Sequence, residues 1–340
     1  MVTQKPTVSQ FFTFGPMFFT SFHVLCSVCP VVFQRYHYKQ IYRVYMNLWP
    51  LKVADQQGLK EIKYLFIKGS CSVIFYALMA SIISIAYLPL RGLDFDRSIW
   101  PAIAALKLLK DGPQSLIYAV IFMNYGLVFA KAYYLAIYGM HLMHMCTLYA
   151  IQNILLRRRI DCINNDNEDI SPLVLIDDRK YQERVKRELK ECIKLDIKLK
   201  RFSTSLIDYF KWVMIMHVGN AIIILSMLYY VNLFMNGGYD PLSTRCYVLG
   251  ANLMAVCYAH YSEIYFEQTD LNRNALLKTP WYTFNNSNRK LMLIYLSNLS
   301  RPQYISAGGL LDVNYSLLIV VMHKCFNILT ILKTMSPEGI

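Results

Sequence analysis

The sequence predicts an all-α integral membrane protein, a polytopic helical bundle with cytoplasmic helical extensions. Hydrophobic residues make up 55% of the 340 positions and charged residues only 17%, whereas about a quarter of the residues in a soluble domain are charged. The charges are also clustered, so that four stretches of 22 to 29 residues carry none: 6–34, 69–90, 132–156 and 212–239. A helix needs roughly 20 apolar residues to cross a bilayer. These stretches are therefore predicted to be membrane spans rather than core helices of a large soluble protein.

Two spans are predicted in the first 90 residues. The first covers about Phe11 to Phe33, and the second runs from about Ile67 to Leu88, before a proline. The segment between them is basic. A mixed segment from Arg91 to Asp111 follows the second span, and the Gly112-Pro113 pair marks a break after it.

The third span is predicted to be part of an unusually long helix. From Gly112 to Leu156 the only formal charge is Lys131, and nothing in this stretch could form a turn between two spans. A single helix of this length would be about 67 Å long, more than a bilayer requires. We therefore predict one span near Ser115 to Met140 that continues as a rod into the cytosol.

A highly charged segment comes next, with 14 Lys or Arg and 11 Asp or Glu residues between positions 157 and 211. Asn164 to Asp169 is predicted to be a loop, and Tyr181 to Phe202 an amphipathic helix. Its apolar residues recur every four positions: Val185, Leu189, Ile193 and Ile197. Such a stripe needs a partner, and the cytoplasmic extensions of the neighbouring spans are the expected one.

Three further spans are predicted at about Trp212 to Met235, Thr244 to Phe266 and Tyr304 to Leu332, with a glycine turn between the first two. Asp312 and Lys324 interrupt the last one, which a helix lining a water-filled path tolerates. The chain is therefore divided into spans 1–3 with their loops (1–156), a charged cytoplasmic segment (157–211), spans 4 and 5 (212–266), a second cytoplasmic segment (267–303) and the last span (304–340).

The distribution of basic residues predicts the orientation in the membrane. Lys and Arg gather on cytoplasmic loops, and 26 of the 35 basic residues fall on the three segments predicted to lie inside. This places the C-terminus outside the cell. With six spans the N-terminus would also lie outside. The net charge of +13 is explained by this asymmetry, so no nucleic-acid partner is predicted.

The sequence does not predict an enzyme, a metal site or a cofactor. Ser-His-Asp patterns and phosphate-binding glycine loops are absent. His141 and His144 share a helix face, but no carboxylate or third histidine lies close in sequence, so polar packing is the preferred interpretation. Most of the nine cysteines lie in apolar runs, and a disulfide framework is not expected.

Aromatic residues crowd the outer halves of the predicted spans, in part as an interfacial belt. Some repeat at three- and four-residue spacing, which indicates either helix packing or an apolar pocket in the outer leaflet with a few hydroxyls that orient a neutral ligand. The candidate pocket residues are Phe14, Phe18, Phe22, Met79, Ile83, Tyr87, Tyr125, Phe129, Tyr133, Tyr247 and Met254.

The C-terminal region resembles that of insect odorant receptors. The matching residues are Trp281-Tyr282, the basic pair Arg289-Lys290 with Leu291, Leu293 and Leu296, then Pro302, Ala307-Gly308-Gly309 and the terminal apolar run from Phe326 to Leu332. The long rod, the charged amphipathic segment and the glycine turn fit the same layout. The resemblance covers about 300 residues by arrangement and the last 60 by motif.

The resemblance implies an odour-tuned subunit of a heteromeric, non-selective cation channel that joins olfactory coreceptor subunits in a tetramer. Such subunits lie in the plasma membrane of olfactory sensory neurons, in contact with lipid, and bind a small volatile odorant in their outer half. The last helix lines the pore, which assigns Lys324, Ile328, Ile331 and Leu332 to the pore and gate. The family has seven spans and an internal N-terminus, whereas six spans are visible here. The basic segment around Tyr42 to Trp49 resembles the family's first internal loop, so the first span here would correspond to the family's second.

Two alternatives remain from the sequence. A gustatory-type chemoreceptor channel is a related possibility, although the sequence features typical of its last helix do not appear after Asp312. A secondary transporter of small molecules would show paired halves with interrupted helices, and no internal repeat is visible.

Overall fold

The computed structural model describes residues 19–25, 34–48, 55–86, 113–163, 171–234, 241–299 and 303–335. Residues 19–25 are helical. The remaining helices are α1 (Arg35–Met46), α2 (Gln56–Ala86), α3 (Gln114–Asp161), α4 (Pro172–Asp177), α5 (Arg179–Phe234), α6 (Pro241–Leu277), α7 (Asn286–Leu299) and α8 (Tyr315–Met335), with a 3-10 turn at Trp281–Thr283 and two short strands, β1 (Ser306–Ala307) and β2 (Leu311–Asp312). The predicted segment 91–111, the loop 164–169 and the glycine turn at 237–238 lie outside the described residues.

Helix α3 confirms the predicted rod. It has 48 residues and is therefore about 72 Å long. Its N-terminal half belongs to the predicted third span, and its C-terminal half is mostly buried among the other helices. The same helix thus connects the membrane region with the predicted cytoplasmic region.

Helix α5 is longer still, with 56 residues. It joins the predicted amphipathic helix and the fourth span without a break at position 211. Val185 and Leu189 are fully buried, as predicted, but Ile197 is 45% exposed, so its place in the stripe was wrong. A four-residue step advances 400° around a helix with 3.6 residues per turn. Three such steps carry Ile197 about 120° away from Val185, and Leu195 and Leu199 are buried on the packed face instead.

The ends of α3, α5 and α6 that are predicted to lie in the cytosol meet in an aromatic core. The Tyr149 ring lies 4.4 Å from that of Tyr265 and 6.4 Å from that of Phe202, measured between ring centroids. The Ser203 and Tyr265 hydroxyls form a hydrogen bond with each other. The amphipathic part of α5 therefore packs against extensions of the neighbouring helices, as the sequence predicted.

A polar network reinforces this region. The guanidinium of Arg157 donates hydrogen bonds to Gln268 Oε1 at 2.9 Å and Asn272 Oδ1 at 3.2 Å, and Asn272 in turn donates to Asn153 Oδ1 at 2.6 Å. Burial lowers the pKa of Arg157 to about 10, so the side chain remains charged at neutral pH. An Arg158–Glu61 ion pair adds α2 to the same assembly.

The last helix begins later than predicted. The sequence interpretation started this span at Tyr304, but 303–314 contains an antiparallel hairpin in which Ser306 pairs with Asp312, and α8 begins at Tyr315. Gly308 and Gly309 have φ values of 67° and 74°, which stop a right-handed helix and allow the reversal. Asp312 therefore lies in the hairpin rather than in a span.

Within the described residues, three helical segments are long and apolar enough to cross a bilayer: Gln56–Ile82, Arg179–Phe234 and Tyr315–Thr334. They overlap the predicted second, fourth and last spans. The other three spans remain predictions from the sequence.

Candidate functional site

A cavity of about 130 Å³ lies between the helices of the predicted membrane region. Its wall combines His23 from the 19–25 segment, Tyr76 from α2, one face each of α5 and α6, and the beginning of α8 with the two residues before it. An engineered apolar cavity of about 150 Å³ can bind benzene. The cavity is of similar volume, so a small organic molecule about the size of benzene is the kind of ligand that fits it.

The α6 wall shows how the sequence builds this cavity. Ala251, Ala255 and Ala259 recur every four residues and line the cavity together with Tyr247 and Met254. Residues at this spacing share one helix face, and alanine side chains leave space between packed helices. The opposite wall comes from α5, which contributes Met214, His217, Val218, Ala221, Ile224 and Leu225.

A few polar side chains interrupt the apolar wall. His23 Nε2 lies 2.9 Å from His217 Nδ1 in a hydrogen bond, and the two rings meet edge to face with 4.0 Å between centroids. The Thr20 and Tyr247 hydroxyls form another hydrogen bond, at 2.6 Å. These pairs join the 19–25 segment to α5 and α6.

Two tyrosines on the wall interact with each other. The rings of Tyr76 and Tyr258 meet edge to face, 6.5 Å apart. Tyr76 is held against α3 at a glycine, because a Cβ on Gly139 would lie 2.5 Å from the Tyr76 hydroxyl. The absence of a side chain at position 139 is thus what lets the phenol of Tyr76 lie there.

The predicted pocket residues are only partly brought together. Tyr247 and Met254 line the cavity. Phe22, Phe129 and Tyr133 are exposed, Tyr133 to 61%, and Met79 is half-buried; none of these four lines this cavity. Phe14, Phe18 and Tyr87, as well as the side chains of Ile83 and Tyr125, lie outside the described residues.

The sequence interpretation did not single out His23, Tyr76, His217 and Tyr258, all of which line the cavity. It relied on aromatic stripes, which occur on lipid-facing surfaces as well as in pockets. The spacing of small residues on α6 was a signal that could have identified this wall. With the predicted topology, most of the cavity lies between the middle of the membrane and its inner side, whereas most of the predicted pocket lies in the outer half; Tyr247 and Met254 belong to both.

Helix α8 contributes to the cavity and also carries the predicted gate. Its buried stripe consists of Leu317, Val321, Cys325 and Leu329, again spaced by four residues. Of the predicted pore residues, Lys324 and Ile331 are exposed, while Ile328 and Leu332 are half-buried at the edge of the stripe. Leu332 packs against a small cluster formed by Met227, Tyr230, Val231 and Leu329.

Comparisons with known structures agree with this architecture. The fold matches the insect olfactory receptor OR5 from Machilis hrabei in complex with eugenol, with a TM-score of 0.65 and 9% sequence identity, over 98% of this chain and 83% of that one. A second structure of the same receptor matches with a TM-score of 0.64 and 10% identity, over 98% and 82% of the two chains. A comparison with curated proteins gave no significant match.

The family comparison covers most of the chain. A model of the family described as 7tm Odorant receptor matches residues 7–326. The match confirms the sequence interpretation of an odorant receptor with an all-α membrane fold, and the expectation that the chain is not an enzyme. It also favours the odorant receptors over the gustatory-type alternative. The chain belongs to the 7tm odorant receptor family.

Proposed function

We propose that this chain is the odour-tuned subunit of a heteromeric ligand-gated cation channel, and that it binds a small neutral volatile in the cavity between α5, α6 and α8. The observation that carries the proposal is that the cavity and the predicted pore share α8. Leu317 and Val321 on α8, together with Val313 just before it, line the cavity, and α8 is the helix predicted to line the pore. A ligand in the cavity therefore touches the helix that would have to move.

The link from occupancy to opening is thermodynamic. A ligand shifts a closed–open equilibrium only by the difference between its affinities for the two states. Because α8 forms part of the cavity wall, a small displacement of α8 changes the shape of the cavity and hence the ligand's affinity. On this account, a pore ringed by Ile328, Ile331 and Leu332 is dry when closed and becomes wet when these helices spread.

The chemistry of the wall supports a neutral ligand. None of the described residues that line the cavity is Asp, Glu, Lys or Arg. Burying an unpaired carboxylate or ammonium would cost several kcal/mol, so alcohols, esters, aldehydes and terpenoids of small size are expected ligands. The solved relative supports a small organic ligand too, since its structure is described as a complex with eugenol.

The surface of α8 supports a channel built from several subunits. Ile319, Phe326 and Ile331 are exposed, Phe326 to 67%, and Lys324 is exposed beside them. A lone ammonium facing lipid is strongly disfavoured, whereas a water-filled pore between subunits accommodates it. The expected partners are olfactory coreceptor subunits, with the C-terminus outside the cell and the complex in the plasma membrane of olfactory neurons.

The first test is electrophysiological. Cells would express the chain with and without an olfactory coreceptor, and currents would be recorded against a panel of neutral volatiles, amines and carboxylic acids. We expect currents only with the coreceptor, and the strongest responses to neutral compounds. A charged molecule as the best agonist, or a robust current from the chain alone, would contradict the proposal.

A cavity-filling substitution tests the location of the site. Ala255 lines the cavity, so Ala255→Phe should raise the effective concentration of the best agonist at least tenfold at equal surface expression. Val256 is the next residue on α6, about 100° around the helix, and is 42% exposed. Val256→Phe is the matched control and should respond like the unmodified receptor. If Ala255→Phe kept normal sensitivity, the ligand would bind elsewhere, and the outer pocket predicted from the sequence would be the next candidate.

A further inference from the structure

The buried hydroxyls of Tyr76 and Tyr258 are the unusual feature of the cavity wall. Both oxygens are shielded from solvent, and the two hydroxyls pair with each other at a geometry looser than a standard hydrogen bond. Such a pair uses one O–H proton, so the other O–H proton of the pair has no acceptor among the described residues. Buried polar groups almost always have a partner, and each exception calls for an explanation.

We propose that the Tyr258 hydroxyl contacts the ligand through a hydrogen bond, so that the cavity selects neutral molecules carrying one hydroxyl or carbonyl oxygen over hydrocarbons of the same shape. This inference rests on the proposed function, because it assigns a ligand class to the same cavity. A tyrosine hydroxyl can donate to a carbonyl oxygen or accept from an alcohol. A ligand oxygen would therefore accept the O–H proton that the Tyr76–Tyr258 pair leaves without an acceptor.

Tyr76 acts as a positioning residue for Tyr258. Its ring meets that of Tyr258 edge to face, and its own hydroxyl end is seated against the backbone of Gly139. A methyl group at position 139 would overlap the hydroxyl of Tyr76, with 2.5 Å between the added carbon and the oxygen. The seat on α3 thus determines where the Tyr76 ring lies, and that ring limits the positions open to the Tyr258 phenol.

A site that rejects a ligand lacking the expected oxygen does so because its own buried polar group stays unpaired. Among the described residues that line the cavity, the other polar side chains are His23, Tyr76, His217, Tyr247 and Asn314, and the rest are apolar. The apolar surface packs against the hydrocarbon part of an odorant without requiring a particular structure. The Tyr258 hydroxyl, in contrast, distinguishes a ligand that carries an oxygen atom from one that does not. Selectivity for oxygen is therefore expected to depend on this residue.

The test compares two probes of nearly equal shape, benzyl alcohol and ethylbenzene, on the channel complex in cells. Each concentration series is recorded as an agonist response or, for a probe that does not open the channel, as competition against the strongest agonist of the panel. Tyr258→Phe removes the hydroxyl and keeps the ring. We expect the effective concentration of benzyl alcohol to rise about five- to tenfold, which corresponds to the free energy of one hydrogen bond. The effective concentration of ethylbenzene should stay the same or fall.

Tyr261→Phe provides the matched control. Tyr261 lies one helical turn further along α6, and its hydroxyl is also buried and pairs with another hydroxyl, that of Ser72, but Tyr261 does not line the cavity. The same chemical change should leave the ratio of the effective concentration of benzyl alcohol to that of ethylbenzene unchanged. Gly139→Ala should raise this ratio, as Tyr258→Phe does, because it displaces Tyr76. A purely structural effect would raise the effective concentrations of both probes equally.

The outcomes separate this inference from the proposed function. If Ala255→Phe weakens both probes while Tyr258→Phe leaves their ratio unchanged, the cavity binds the ligand but Tyr258 does not read its oxygen, and the inference is overturned. If Ala255→Phe affects neither probe, the ligand does not bind in this cavity, and the part of the proposed function that places it there is wrong. A change of ratio in Tyr258→Phe and none in Tyr261→Phe supports both.

Discussion

The hairpin before α8 offers a sharp test of how the structure couples its parts. The Gly308 backbone N–H donates a hydrogen bond to the carbonyl oxygen of Lys211 on α5, at 2.8 Å. A Cβ on Gly308 would lie 2.7 Å from Ile215 Cδ1 and 3.4 Å from Ile215 Cβ. We therefore expect Gly308→Ala to destabilise the protein for two separate reasons, the positive φ of 67° and the contact with Ile215.

The two costs can be estimated separately. An alanine in the left-handed region costs about 1–2 kcal/mol, and forcing a methyl group into a packed contact costs about 1–3 kcal/mol. Gly308→Ala should therefore cost about 2–5 kcal/mol. Gly309 also has a positive φ, of 74°, but its Cβ would meet the Cε atom of Lys211, near the end of a flexible side chain that can move away. Gly309→Ala should cost only the backbone part, about 1–2 kcal/mol.

The assay is the melting temperature of detergent-solubilised protein, followed by size-exclusion chromatography after heating. With roughly 2 °C lost for each kcal/mol, Gly308→Ala should melt about 4–10 °C lower and Gly309→Ala about 2–4 °C lower. In an Ile215→Ala background, Gly308→Ala should lower the melting temperature by less than it does in the unmodified protein, because the contact with Ile215 is no longer there. Equal effects of the two glycine substitutions would refute the assigned contact with Ile215.

Three further predictions concern topology, the gate and a buried carboxyl group. An epitope tag after Ile340 should be labelled on intact cells and one near Asn165 should not, because basic residues concentrate on the segment around position 165; labelling in the reverse pattern would overturn the orientation. Ile328→Ser should wet the gate and raise the current without ligand, whereas Lys324→Glu should change cation selectivity and leave odour sensitivity nearly intact; unchanged basal current and selectivity in both variants would remove α8 from the pore. Burial raises the pKa of Asp196, and Lys200, 3.3 Å away, partly opposes this shift, so the ionised carboxylate costs folding free energy at pH 7 and this cost is relieved as the pH falls through the raised pKa. Asp196→Asn should therefore melt no lower than the unmodified protein at pH 7, and any advantage should shrink at pH 5; a clear loss of stability at pH 7 would show that the Lys200 pair outweighs desolvation.

The candidate site shows where reasoning from the sequence reaches its limit. Tyr247 and Met254 were predicted for the pocket and line the cavity, but Phe129 and Tyr133 belong to an equally regular stripe and are exposed. Periodicity establishes that residues share a helix face, but it does not say what that face meets. An apolar stripe has the same spacing whether it faces a neighbouring helix, a ligand or lipid, because the bilayer core is as apolar as a protein interior.

The class of the protein and its long helices followed from the sequence alone, because they depend on local properties. Charge-free runs long enough to cross a bilayer require membrane-spanning helices. The lack of a polar segment that could form a turn between two spans after Gly112-Pro113 requires one rod, which α3 is. The start of α8 did not follow, because Tyr304 and the next residues are apolar enough to extend a helix until the positive φ angles of Gly308 and Gly309 are known. The cavity depended on tertiary structure entirely: His23, Tyr76, His217, Tyr258 and Val313 come from five separate segments, and only the packing of the helices brings them to one wall.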